Sequence, residues 1–362
     1  MKIKDIRLGY LSIPLKTPFK TALRSVSSID DVIVMVETDD GHIGYGEVPP
    51  TAAITGETKE SIVSAILNHL RPPLIGKEIE DIESIMQVLH GSLVGNSSAK
   101  AGVDIAIYDL YGQRYQAPVY QLLGGYRTHL TTNLTISVNE PEEMVRDSID
   151  AVKRGFHTLK IKVGKNSAKD IERLMAIRQA VGNDIQLRID ANQGWSQKEA
   201  IRILTQMEDA GLNLELVEQP VAAHDLKGLK KVTEKVSIPV MADESVFSPR
   251  DAVELLQTGA ADLLNIKLMK TGGIYNALKI AAIAETFGVE CMMGCMLEAK
   301  ISVNAAAHLA AAKKIITRID LDGPALCLED PIDGGAEFNE SVISLSNTPG
   351  FGIKHIHNLK LI

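Results

Sequence analysis

Apolar and polar residues alternate with a period of two along residues 2–14 and again along DVIVMVET, residues 31–38. That is the pattern of strands with one buried face. DDGH at 39–42 is a turn carrying an Asp-Gly hairpin signal, and GYGEVPP continues as the end of a returning strand. Between the first two strands, TPFKTALRSVSS has no clean period and is predicted as a loop, with TAAITGET at 51–58 as a second loop. The apolar spacing then becomes helical in KESIVSAILNHL, EIEDIESIMQVLHGSL and SSAKAGVDIAIYDLYGQRYQ. In the last of these Ala101, Ile105, Tyr108 and Leu110 share helical spacing, with Ser97 or Ser98 as the N-cap. The Gly-Gly of QLLGGYR stops the segment. Residues 1–125 therefore predict an α+β unit, a three-stranded meander followed by helices.

From about residue 130 the rhythm changes to short apolar runs alternating with amphipathic stretches that end in Gly. The runs are 131–138, 157–164, 184–192, 214–221, 238–245, 262–269, 289–296 and 315–322. Repeated βα units predict a parallel sheet, and eight of them predict a (β/α)8 barrel over residues 126–322. An open dinucleotide-binding sheet is excluded because no GxGxxG follows an early strand of the series. The segment 323–362 is turn-rich with short strand-like pieces and is expected to return to the first unit.

Composition changes this picture little. A formal net charge of −8 argues against a nucleic-acid partner. No apolar run is long enough to span a bilayer, and the alternating N-terminus lacks the apolar core of a signal peptide. Three cysteines, Cys291, Cys295 and Cys327, fit a reducing cytoplasm. Cys291 and Cys295 lack a second pair or nearby histidines, so a zinc site is not expected.

Charge placement is more informative. In a barrel of this kind chemistry sits at the C-terminal strand ends. Five consecutive strands end in charges where a core strand should be apolar: Lys160 and Lys162, then Asp190 with Asn192 on its face, then Glu218, Asp243 and Lys267. Alternation puts Lys160 and Lys162 on one face, and two neighbouring ammonium groups should disfavour each other's protonation. Any one carboxylate is more often a salt bridge or a cap. Three at matched strand ends, flanked by lysines, suit a shared Mg2+. A substrate carboxylate on that metal would place its α-carbon between Lys162 and Lys267. One lysine would remove the proton, the metal would stabilise the enediolate, and the other lysine would return a proton to the opposite face.

The order TLKIKVG, RIDAN, VEQP, MADES, NIKLMKTGG resembles the muconate lactonizing subgroup of the enolase superfamily. PFKTALR, GYGEVPPTAAITG and the RIDLD end make the whole chain resemble the dipeptide epimerases within it. The resemblance implies an N-terminal α+β capping domain on a modified (β/α)7β barrel. It implies one Mg2+ per subunit on Asp190, Glu218 and Asp243, with Lys162 and Lys267 as the acid/base pair. Lys160 would contact the substrate carboxylate and tune Lys162.

Asp320 and Asp322 share one face at the end of the eighth strand. The resemblance assigns them to the amine of a dipeptide, and a loop arginine such as Arg24 can clamp a second carboxylate. Thr135, Cys295, Met296 and Leu297 lie at strand ends and are expected to line the pocket, with Ile54 as an apolar lid and Glu298 hydrogen-bonded near Lys267. Trp195 is either a pocket wall or packing. The expected substrate is Ala-Glu or a similar dipeptide, in a homo-oligomer that uses murein peptides. Three alternatives remain: a dipeptide epimerase of other side-chain specificity, an N-acylamino-acid racemase, o-succinylbenzoate synthase or cycloisomerase, and a non-catalytic binding barrel.

Overall fold

The computed structural model describes residues 1–20, 25–164 and 166–362. Ile3–Lys20, Ser25–Thr38 and Ile43–Val48 form an antiparallel sheet, with Lys360–Leu361 added on the outer edge of the first strand. The first two strands pair from Ile3↔Thr38 to Lys20↔Ser25, with an irregularity between Pro14 and Phe19. Much of the segment predicted as a loop is therefore an extension of this hairpin. The inward-facing backbone groups of the two strands pair with each other and the outward-facing ones can be left to water, so these residues do not need the apolar face on which the pattern depends.

The helix Ser97–Arg114 lies directly on the third strand and is buried along most of its length. The close approach needs glycine on both sides: a Cβ at Gly46 would sit 1.8 Å from the Gly102 carbonyl oxygen. Its N-cap is Asn96, without a side-chain capping bond, rather than Ser97 or Ser98. The Glu57 carboxylate instead accepts the N–H groups of Ser98 and Ala99 at 2.8 and 2.9 Å. A remote acid thus replaces the local cap that the serines suggested.

Eight parallel strands follow in chain order around a nearly closed barrel: Leu134–Ile136, Thr158–Lys162, Gln186–Asp190, Leu214–Glu218, Val240–Ala242, Leu263–Lys267, Cys291–Gly294 and Ile316–Asp320. A long helix covers each of the first seven. The eighth is followed only by the short helix Gly323–Leu326, which gives (β/α)7β. At the seam the Asn133 N–H donates to the Ile319 carbonyl at 3.3 Å, and the Leu321 N–H to the Thr132 hydroxyl at 2.8 Å.

The run predicted at 131–138 is split in two. His129–Thr131 joins a separate sheet with Val342–Ser344, and only Leu134–Ile136 enters the barrel. Leu216, Met241, Leu263 and Met292 form an apolar cluster of their own. Arg188 sits beside it, bonded to Glu215 and Asn133 at 2.6 and 2.9 Å. Among the described residues no helix is long and apolar enough to cross a membrane.

Candidate active site

Strand register builds the site. Lys162 is level with Asp190, and Asp190 with Glu218. Lys267 is level with Gly294, and Gly294 with Asp320. Leu159, Ile161 and Val163 are fully buried on the opposite face of the second strand, as alternation requires. Gln219 ties the next strand end down: its amide oxygen accepts the N–H groups of Asp243 and Ser245 at 2.9 and 3.1 Å. Asn192 turns through the left-handed region at φ 41°, and its amide donates to Glu244 at 3.3 Å.

The charged side chains interlock. Lys160 Nζ lies 2.7 Å from Glu218, 2.8 Å from Asp320 and 3.2 Å from Asp190. Lys162 Nζ donates to Asp190 at 2.6 Å and Lys267 Nζ to Asp243 at 2.7 Å. Lys270, one turn beyond Lys267, reaches Asp243 Oδ1 at 2.6 Å and the Asn265 carbonyl at 3.0 Å. Asn265 donates to Glu218 at 2.9 Å.

These pairings reverse the electrostatic expectation for Lys160. Burial alone would lower its pKa, but Asp320, Glu218 and Asp190 raise it well above the ordinary lysine value. Lys267 is likewise raised, by Asp243 and Glu218 against burial. Burial and the charge of Asp190 push Glu218 up to about 8. Asp190 and Asp243 are held below the carboxylate range by their lysines, against burial.

The three carboxylates lean on lysines rather than on one another. Among the described residues no three His, Cys, Asp or Glu side chains share a metal-sized centre. The donor set still suits a hard cation. Glu218 Oε2 and Asp243 Oδ1 are buried without an aligned hydrogen bond, although ammonium groups stand 2.7 and 2.6 Å away. Their lone pairs are available to an oxygen-seeking ion.

A cavity opens over this array. It brings together Ile54, Thr135, Lys160, Lys162, Asn192, Asp243, Lys267, Cys295, Met296, Leu297, Asp320 and Asp322. Asp190 and Glu218 lie outside its lining and touch it through their lysines. Asp320 is held by Lys160 and by Asn133 at 2.7 Å, and sits near 2 because those contacts outweigh burial. Asp322 accepts the Thr135 N–H at 2.6 Å, and burial with Asp320 alongside pushes it to about 6. Arg24 lies outside the described residues.

Glu298 differs from expectation. Its carboxylate accepts the Met296 N–H at 2.5 Å and feels the charge of Lys267, but it does not line the cavity. Trp195 is core packing and does not line the cavity. The sequence reading missed Phe19, Ala53, Glu244, Gly323 and Leu326 in the lining, and Lys270 behind it. Glu244 and Lys270 had a signal, being charges next to Asp243 and three residues from Lys267. Phe19 and Leu326 had none, since both arrive from segments without periodicity.

The mandelate racemase/muconate lactonizing enzyme N-terminal domain matches residues 6–124, and the enolase C-terminal domain-like family matches residues 143–356. The chain is 61% identical to the L-Ala-D/L-Glu epimerase of Clostridium acetobutylicum, over 99% of this chain and 100% of that protein. A substrate-liganded structure of the Bacillus subtilis L-Ala-D/L-Glu epimerase superposes with a TM-score of 0.97 at 52% identity, covering 98% of this chain and 99% of that one. The Enterococcus faecalis dipeptide epimerase, complexed with Mg and L-Leu-L-Tyr, gives 0.95 at 46% identity, covering 98% and 100%.

Proposed function

The chain belongs to the mandelate racemase/muconate lactonizing enzyme family of the enolase superfamily, and on that premise we propose that it is a Mg2+-dependent dipeptide epimerase. It inverts the α-carbon of the C-terminal residue of Ala-Glu or a similar dipeptide by a 1,1-proton transfer. The observation that carries this reading is the pair Lys162 and Lys267. They leave from the second and sixth strands, line one cavity, and each rests on a different carboxylate.

Asp190, Glu218 and Asp243 would hold the metal, which supplies positive charge to the substrate carboxylate as the α-proton leaves. The other steps belong to the chain. Lys160 stands between Asp190, Glu218 and Asp320, placed to meet the same substrate carboxylate. Asp320 and Asp322 present two acceptors to the dipeptide ammonium. A lysine on each face lets the proton depart on one side and arrive on the other. Ile54, Cys295, Met296 and Leu297 keep water from the α-carbon, Asn192 fixes the metal-side rim, and Arg24 is the candidate clamp for an acidic side chain. Residues 1–125 act as the cap, 126–322 as the catalytic barrel and 323–362 as the return to the cap, in a cytoplasmic homo-oligomer.

The test is a dipeptide library incubated with the protein and Mg2+ in D2O. Epimerised dipeptides gain about one mass unit at the α-carbon, since the returned proton is drawn from solvent. Lys162→Ala and Lys267→Ala should each lose epimerisation while retaining exchange of one enantiomer. Full epimerisation by either variant would sink the two-base scheme.

A further inference from the structure

The third cap strand brings two things to the cavity mouth. Beyond its end the chain passes through Pro49 and Pro50 to Ala53 and Ile54, which form one wall of the cavity. Its Glu47 side chain is fully buried and reaches the opposite side. Glu47 Oε1 accepts the Ala299 N–H at 2.8 Å, and Oε2 accepts the Ser302 N–H and hydroxyl at 2.8 and 3.0 Å. These donors open the helix Lys300–Ala312, which has no side-chain cap of its own and no acid in its first turn. Its free N–H groups are thus met from 252 residues away. The residues just before that helix, Cys295, Met296 and Leu297, are the other wall. Leu297 also lines a smaller cavity together with Asp31, Pro49, Pro50 and Thr51, the stretch that leads from the Glu47 strand to Ala53.

We infer that Glu47 is a positioning residue for substrate recognition: it holds the Cys295–Leu297 wall at a set distance from the Ala53–Ile54 wall, because one strand end carries both the anchor and the lid. The surroundings favour a tight anchor. Asp31 and Glu298 are the buried acids beside it, with Cys327 nearby and Lys16 and Asp330 further out. Burial, then Glu47, raises Asp31 well above its ordinary carboxylate value. Burial raises Glu298 to about 7. Both Glu47 oxygens accept from the helix start, beside these two acids.

The inference rests on the dipeptide-epimerase reading, which the wild-type protein tests by itself. Glu47→Gln turns an amide NH2 toward one of the two backbone donors. It should raise KM for accepted dipeptides about tenfold with kcat within about threefold, a loss of binding rather than of chemistry. Preference between small and bulky C-terminal side chains should narrow. Hydrogen–deuterium exchange should rise across residues 295–302 and stay unchanged across 158–164, a readout that needs no substrate. Ser302→Ala keeps Glu47 and removes one of its three donors, so it should move every measure the same way by less. An unchanged KM with a reduced active fraction would make Glu47 merely structural and overturn the inference. Unchanged exchange at 295–302 in both variants would overturn it whether or not the protein epimerises dipeptides.

Discussion

Replacing Lys270 by methionine isolates a group that does not line the cavity yet holds one of its carboxylates. Lys270 is fully buried on the single turn Leu268–Thr271; it pairs in charge with Asp243 Oδ1 and donates to the Asp243 and Asn265 carbonyls. Burial pushes its pKa down while Asp243 pulls it back up, so its charge is tolerated only because of that partner. At the observed 2.6 Å separation and an effective dielectric of about 20, the gross attraction is 332/(20 × 2.6), about 6 kcal/mol. Methionine keeps the volume and avoids the cost of burying an ammonium, but it leaves a buried carboxylate oxygen without its counter-charge and two carbonyls without their donor. Removing one partner of such a pair costs about 3–5 kcal/mol. At about 2.1 cal/mol/K per residue, unfolding 362 residues carries roughly 0.76 kcal/mol/K, so about 4 kcal/mol lowers Tm by about 5 °C. Thermal unfolding followed by circular dichroism measures this, and kcat/KM should fall along with it because the Asp243 carboxylate is then held by Lys267 alone. A Tm within about 1 °C of wild type, less than 1 kcal/mol on that scale, would mean that Lys267 alone satisfies Asp243 and that the Lys270 contacts carry no weight.

Two further outcomes depend on pH. Asp322 sits near 6 because of burial and Asp320. KM for a free dipeptide should fall as pH rises through about 6, where the second acceptor for the ammonium ionises. Its stability contribution runs the other way, full below the ordinary value of 3.8 and lost as pH rises through about 6. Asp322→Asn or an N-acylated substrate should abolish the KM trend; a trend that persists in both assigns it to another group. Asp104 is held up to about 8 by burial, from 3.8. Its contribution is full below pH 3.8 and lost as pH rises through about 8, so Asp104→Asn should flatten the fall in Tm over that window. An unchanged slope would place the pH dependence elsewhere.

The barrel was legible because its signals are periodic and local. Lys160, Lys162, Asp190, Glu218, Asp243 and Lys267 each break an apolar strand at its C-terminal end, and register then brings them together. The walls of the cavity were less so. Leu297 and Ile54 could be placed from their loops, but Phe19 arrives on an extended hairpin whose polar composition imitates a loop. The pKa of Lys160 could not be read from the doublet TLKIKVG, because the charges that govern it stand on three other strands. The cap of the helix Ser97–Arg114 was misplaced for a related reason: a serine at a helix start is a local cue, and Glu57 supplies the bonds from 41 and 42 residues away.

The same device recurs where the N-terminal unit meets the barrel, and it bears on how the chain is made. Glu47 closes the helix that begins at Lys300, and Asp104 accepts the N–H groups of Ile274 and Tyr275 at 2.7 and 3.3 Å. Both acids leave the ribosome well before their partners, which follow 252 and 170 residues later. The last two long barrel helices are therefore completed only when the N-terminal unit stands against them. Contacts that bridge such long stretches of chain form late and slowly. A severed barrel would collapse with two helix starts unsatisfied, so the two units ripen as one cooperative body rather than as independent modules.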